Sequence, residues 1–313
     1  MSQYGNSDTE SPQLLTGGHA LRAWTEAGGR AERAPLLWHA RLRWHAHWFE
    51  RFAALSEQRT ATQPLPADPL FIVGLWRTGS TLLHTKLSAA IGFSAPLTWQ
   101  CFRPATFMLE RPPKNQSERR PMDQTEVTTL SPQEDEFAAL LLGESSLYRA
   151  FIDPRRLEEL TPLLWAWTLE LSGCAAPLSA RWESFLKGVI QQRPGTLLVK
   201  SPNHTFRLPW LAGRFPSARF LWLSRERDAV ATSNRRLWSD MVQRYGLWRI
   251  RPAALEMFLN QAFEAHDALI EWARANLRDR VRFLSFEQLV RDPDATVAEV
   301  IGELGLVRAG RGA

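Results

Sequence analysis

Residues 69–84 read Pro-Leu-Phe-Ile-Val-Gly-Leu-Trp-Arg-Thr-Gly-Ser-Thr-Leu-Leu-His, and this stretch constrains the fold more than any other. Leu70 to Val73 is a short apolar, β-rich run closed by Gly74, the pattern of a parallel strand covered on both faces. After Gly79 the apolar residues Leu82, Leu83 and Leu87 recur at helical spacing. A helix starting there turns its unsatisfied N–H groups, and the positive end of its dipole, into the glycine turn. Such a turn is a ready anion site, and phosphate is the usual anion.

Gly74 and Gly79 have the spacing of the G-x-x-x-x-G-K-[ST] phosphate loop, but Ser80 stands at the lysine position, with Thr81 after it. The strong cation in the turn is Arg77. A nucleoside triphosphatase sets that lysine against its β- and γ-phosphates, with Mg²⁺ alongside. The turn therefore reads as built for phosphate without the usual triphosphate chemistry. The plainer alternative is an ordinary strand–turn–helix corner.

A chain of 313 residues with formal net charge +5 can bury a large core and favours acidic small molecules or an anionic surface. Lysine occurs only at 86, 114, 187 and 200, so arginine, suited to bidentate grip of phosphate or sulfate, supplies nearly all the positive charge. The charges are interspersed, which argues against a nucleic-acid arm. Cys101 and Cys174 are too few for a disulfide framework and lack metal-site spacing; a reducing compartment fits. Residues 1–5 carry no basic-then-apolar signal pattern, and no stretch has the apolar length of a membrane span, so the expectation is a cytoplasmic protein without a metal.

Residues 1–12 read as a disordered tail, and 13–65 as a helical segment broken at Gly28-Gly29, able to cover a sheet or to dimerise. Residues 66–313 read as the main domain. Within it, Phe93 to Met122 is proline-rich and irregular, a candidate substrate-facing segment. Ser131-Pro132-Gln133-Glu134 has the form of a capping box opening a helix through Phe137 and Leu140 to Leu142. Leu163–Leu171 and Trp182–Gln192 read as further helices. Strands are expected at Thr196–Lys200, Arg219–Leu223 and Val281–Leu284. The intervening and closing helices run through Leu208 and Leu211, from Ala229, over Glu256–Asn276 and over Thr296–Leu304. Strands alternating with helices give an α/β fold, a doubly wound and mostly parallel sheet flanked by helices.

In such sheets ligands lie at the carboxyl ends of the strands. Three strand ends carry suggestive residues: Arg77 with Ser80 and Thr81, Lys200 with His204, and Arg225 with Ser233. Arg225 and Ser233, two helical turns apart, could grip one phosphate while the 74–81 turn holds another. That points to a nucleotide with two separated phosphates.

The loop at 73–84 resembles the V-G-x-x-R-[ST]-G-[ST]-T-L-L-H signature of bacterial sulfotransferases that use 3′-phosphoadenosine-5′-phosphosulfate (PAPS). Leu198-Val199-Lys200-Ser201-Pro202, the run from Phe215-Pro216 through Arg225 to Ser233, and Phe286 to Pro293 with Leu304-Gly305-Leu306 extend the resemblance over residues 65–306. It implies a P-loop-like fold, PAPS as sulfuryl donor, and a small-molecule, lipid or glycan acceptor. Gly74, Arg77, Thr78, Gly79, Ser80 and Thr81 would hold the 5′-phosphosulfate, and Arg225 with Ser233 the 3′-phosphate. Arg77 and Lys200 would stabilise the leaving oxygen, and His204 would take the acceptor's proton.

Three departures stand out. Gln100 follows Trp99 where relatives tend to have glutamate, Glu226-Arg227 replaces aspartate–proline, and the tail after the closing helix is short, which would leave the acceptor pocket more open. Glu134 to Glu136 resembles an acidic patch of the family; capping accounts for Glu134, while Glu136 could face substrate. His84 reads as helix packing. A P-loop kinase or NTPase, and a non-catalytic nucleotide-binding relative, remain the alternatives.

Overall fold

The computed structural model describes residues 38–90, 93–119, 126–166 and 177–303. The tail, the Gly28-Gly29 break, the end of the Leu163–Leu171 helix and Cys174 lie outside them. The strands of the main sheet are β1 (Leu70–Val73), β4 (Leu198–Lys200), β5 (Arg219–Ser224) and β6 (Val281–Ser285), in the order β4-β1-β5-β6 and all parallel. All four residues of β1 are buried, as a strand covered on both faces requires. The register pairs Ile72 with Lys200 and Val73 with Trp222, so Lys200 lies level with the end of β1 while β5 runs two residues further, to Ser224.

The helices used below are α1 (Trp38–Thr60), α2 (Ser80–Ala90), α3 (Thr98–Phe102), α4 (Asp135–Leu142), α5 (Ala180–Gln192), α6 (Leu208–Arg214), α7 (Arg227–Tyr245), α8 (Pro252–Asn276), α9 (Phe286–Arg291) and α10 (Pro293–Glu303). One apolar cluster, rich in Phe71, Trp182, Trp222 and Trp238, fills the side of the sheet under α4, α5, α7 and α8. The other gathers Ile72, Leu83, Leu87, Leu221 and Leu284 under α2, α9 and α10. Helix α1 lies along α5, with Arg181 bridging to Glu50 and Glu57, and Ser56 Oγ donates to the Ala105 carbonyl at 2.6 Å.

Several local expectations shift. The 93–122 segment is not wholly irregular: it contains α3, a 3₁₀ turn at Phe107–Leu109 and β2 (Ser117–Arg119), which pairs antiparallel with β3 (Glu126–Thr128). Ser131 does not open a helix. Leu97 and Pro132 form a β-bridge, Ser131 Oγ accepts from the Thr128 amide, and α4 begins only at Asp135. The bridge takes the backbone of 131–133 into extended pairing, so the local capping pattern loses to strand contacts. Helix α7 starts at Arg227 rather than Ala229, because the Glu226 carboxylate caps it by accepting from the Asp228 and Ala229 amides.

The start of α4 is fixed to the turn after β4 by buried charge. Arg207 donates to both oxygens of Glu136 at 2.5 and 2.9 Å, and both side chains are fully buried. Asp135 faces His204 Nε2 at 2.9 Å and accepts from Trp182 Nε1 at 2.7 Å. Burial pushes the Glu136 carboxyl up, but the Arg207 charge and hydrogen bonds, with His204 and Ser146, outweigh it and hold the group below its ordinary value.

Two predictions follow from this packing. Arg207→Met leaves a buried carboxylate without its cation and should destabilise the protein by about 3–5 kcal/mol in urea denaturation. Because Glu136 is shifted down, its contribution is complete above the ordinary carboxylate range and fades as pH falls below it; the variant should lose that pH dependence. A Cβ on Gly74, where φ is +129°, would come within 2.2 Å of the Leu223 carbonyl, so Gly74→Ala should cost at least about 1–3 kcal/mol by the same assay.

Candidate active site

The turn between β1 and α2 is built from backbone that few residues tolerate. Gly74 and Gly79 take φ of +129° and +91°, and Arg77 takes +70° without being glycine. A Cβ on Gly79 would meet the Phe286 ring at 2.5 Å. The turn is clamped on several sides. Thr205 Oγ1 accepts from the Gly74 amide at 2.8 Å and donates back to the Gly74 carbonyl at 2.9 Å. Thr78 Oγ1 donates to the Leu75 carbonyl, and Asn234 Nδ2 to that of Trp76. Trp76 itself packs edge-on to Trp238 at 5.3 Å, anchoring the turn in the larger core. Ser80 and Thr81 open α2, so their amides lie outside the intrahelical ladder.

The second strand-end pair converges on this turn. Ser233 Oγ accepts from Arg77 Nε at 2.8 Å, and Arg225 donates to the Arg77 carbonyl at 3.2 Å. The Arg225 guanidinium lies over the Phe286 ring at 4.2 Å, the same ring that backs Gly79. Arg77, Arg225 and Ser233 are therefore one cluster, assembled from the ends of β1 and β5 and the first turns of α7. Phe286, at the start of α9, is a supporting residue whose role was not evident from its position in the sequence.

Lys200 approaches from the other side. Its ammonium donates to Glu134 Oε1 at 2.6 Å and to Thr81 Oγ1 at 3.3 Å. The other Glu134 oxygen accepts from the Tyr148 hydroxyl at 2.6 Å. Capping does not account for Glu134: it occupies the N-cap position, but its carboxylate makes no cap bond and turns to Lys200 instead. Its side chain keeps 13 % exposure while Lys200 keeps 2 %, so the carboxylate is the member of the pair open to solvent. Burial, then the Glu134 charge, pushes the Tyr148 hydroxyl well above its ordinary range, which keeps it a donor.

His204 is placed elsewhere. It is fully buried, with Nε2 against Asp135 and Nδ1 3.3 Å from Arg207, and it packs edge-on to Phe71 and Trp182. Glu136 likewise points into the core, at Arg207, rather than towards a ligand. Gln100 accepts from the Leu97 amide and donates to Gln192, so it is spent on fixing the start of α3. His84 is buried at 1 % exposure, and burial followed by the Lys200 charge lowers its pKa well below the ordinary value, leaving it neutral. The sequence reading assigned Glu134 to capping, and the structure pairs it with Lys200 instead. The signal was present in the run Glu134-Asp135-Glu136, whose three acids face Lys200, His204 and Arg207 in turn.

Such a site can bind an anion in the turn, place two guanidinium groups and an ammonium around it, and offer one carboxylate at its edge. That combination suits transfer of a charged group to a nucleophile that must lose a proton.

Comparison with known proteins agrees with this geometry. Two curated relatives, from Mycobacterium bovis and Mycobacterium tuberculosis, each named omega-hydroxy-beta-dihydromenaquinone-9 sulfotransferase Stf3, are 30 % identical over 260 residues. The match takes in 80 % of this chain and 66 % of the relatives' length. Crystal structures of the sulfotransferases STF9 from Mycobacterium avium and STF1 from M. tuberculosis superpose with TM-scores of 0.65 and 0.57, at 16 % and 17 % identity. They cover 96 % and 86 % of this chain, and 85 % and 74 % of their own, and share its fold. The family model described as "Sulfotransferase family" matches residues 69–309, and the chain belongs to that family.

Proposed function

We propose that the protein transfers a sulfuryl group from PAPS to a hydroxyl, or less readily an amine, of a small-molecule, lipid or glycan acceptor, acting in the cytoplasm. The observation that carries this reading is the convergence of Arg225 and Ser233 on Arg77 of the glycine turn. Two strand-to-helix corners face each other there, as a donor with two separated phosphates demands. The amides opening α2, with Thr78, Ser80 and Thr81, would hold its 5′-phosphosulfate, and Arg225 with Ser233 its 3′-phosphate. When bound, the donor supplies the sulfuryl group and an adenosine bisphosphate leaving group. The relatives' name specifies an omega-hydroxy acceptor, which supports a hydroxyl over an amine.

The chain's own groups divide the remaining work. Arg77 and Lys200 neutralise charge that grows on the departing oxygen. Glu134 takes the acceptor proton, since it is the partly exposed carboxylate between Lys200 and Tyr148. His204, held by Asp135 and Arg207 in the core, fixes the turn that carries Lys200. The acceptor oxygen bonds to sulfur as the sulfur–phosphate oxygen bond breaks, and the proton passes to Glu134.

The competing reading, a P-loop kinase or NTPase, rests on the glycine spacing alone and lacks the lysine after Gly79. Calorimetric titration separates them: adenosine 3′,5′-bisphosphate should bind in preference to ATP–Mg²⁺, and binding of ATP–Mg²⁺ alone would reject the sulfuryl-donor reading. In steady-state assays with labelled PAPS, Arg77→Ala should lower turnover by about 10²–10³-fold. Glu134→Gln should lower it by about 10²–10⁴-fold with bisphosphate binding retained. His204→Gln should lower the urea midpoint while the shape of the pH–rate profile stays that of the unmodified protein. Loss of the acid-side limb in that variant, where a general base becomes protonated, would return the base to His204.

A further inference from the structure

Resting on the transferase reading above, we infer that Phe102, Phe137 and Tyr148 form the acceptor wall, and that they take the apolar body of a hydrophobic alcohol whose hydroxyl meets Glu134. Glu134 and Phe137 are three residues apart at the start of α4, so they share one face of the chain there. The Phe137 ring is half-buried and lies 5.2 Å from Phe102 and 5.4 Å from Tyr148. Phe102, the last residue of α3, is half-buried as well. Tyr148 is 3 % exposed, stacks on Phe151 at 4.6 Å, and donates its hydroxyl to Glu134. A continuous run of rings thus leads from the partly exposed surface to the reacting carboxylate.

The wall is held rigidly. Helix α3 is tied to the segment before α4 by the bonds Thr98 N to Ser131 O, Trp99 N to Thr129 O, and Gln133 N to Pro96 O, at 2.8–3.0 Å. Phe102 and Phe137 therefore keep their spacing without either side chain making a polar contact. A glycan needs amides and hydroxyls aligned with its own, whereas this run of rings offers aromatic faces and a single phenolic oxygen already committed to Glu134. Leaving two phenylalanines half-exposed beside an ion pair forgoes burial that an apolar ligand restores.

The test uses the whole protein, labelled PAPS, and a series of straight-chain primary alcohols with glucose as the polar comparator. The efficiency kcat/KM should rise about three- to fourfold per added methylene, the factor expected from burying one CH₂. Phe137→Ala should flatten that dependence and lower the efficiency for long alcohols at least tenfold, mainly through KM, with bisphosphate affinity unchanged. Phe137→Leu, which keeps apolar volume, should recover most of it, and Phe102→Leu should weaken it less. Calorimetry with 1-dodecanol on the bisphosphate-saturated protein gives the same comparison without turnover. An unaltered chain-length dependence in Phe137→Ala, a preference for glucose, or no dodecanol binding to the unmodified protein overturns the acceptor wall. Failure of the unmodified protein to bind bisphosphate overturns the donor reading beneath it.

Discussion

The site depends on one short turn, Lys200 to Arg207, and on the opposite charges that bind it to Glu134–Glu136. Three consecutive acids meet three bases from that turn, Lys200, His204 and Arg207, and the second and third pairs are fully buried while the first is not. Two pairs are sealed in the core, where removing either partner strands an unpaired polar or charged group. The first pair, Lys200 with Glu134, keeps part of its carboxylate exposed. The same turn carries Thr205, whose hydroxyl grips both the amide and the carbonyl of Gly74. A single element therefore positions the glycine turn, the ammonium and the carboxylate relative to each other.

That arrangement explains why so much of the surrounding structure is rigid. Gly74 and Gly79 take positive φ freely for want of a Cβ, whereas Arg77 holds it at a cost that the surrounding contacts must offset. Thr205, Asn234, Trp76 and Phe286 supply those contacts from four different parts of the chain. Phe286 is economical: one ring leaves no room for a side chain at 79 and carries the Arg225 guanidinium on its face. This gives a physical reason for the likeness of the segment from Phe286 to that of the family, although it lies far along the chain from the glycine turn.

Local pattern carried the reading furthest where one interaction range dominates. The strands at 70–73, 219–224 and 281–285 and the helix after Gly79 follow from apolar period and glycine alone. The reading failed where a distant contact overrode a local one. Ser131-Pro132-Gln133-Glu134 has the letters of a capping box, yet pairing of Leu97 with Pro132 keeps it extended. Glu226, read as a departure beside the nucleotide site, caps α7. Histidine past a strand end suggests a base from its intrinsic titration range, but burial against Asp135 and Arg207 is a property of three segments at once.

The sequence by itself determined the glycine turn, the parallel sheet around it and the likeness to one transferase family, because each is written in contiguous residues whose backbone needs are local. Only the tertiary structure decided which charged side chains keep contact with water and which are locked in the core. Glu134, Asp135 and Glu136 differ little as letters. They are told apart by which base the fold brings to each and by how much water it leaves there.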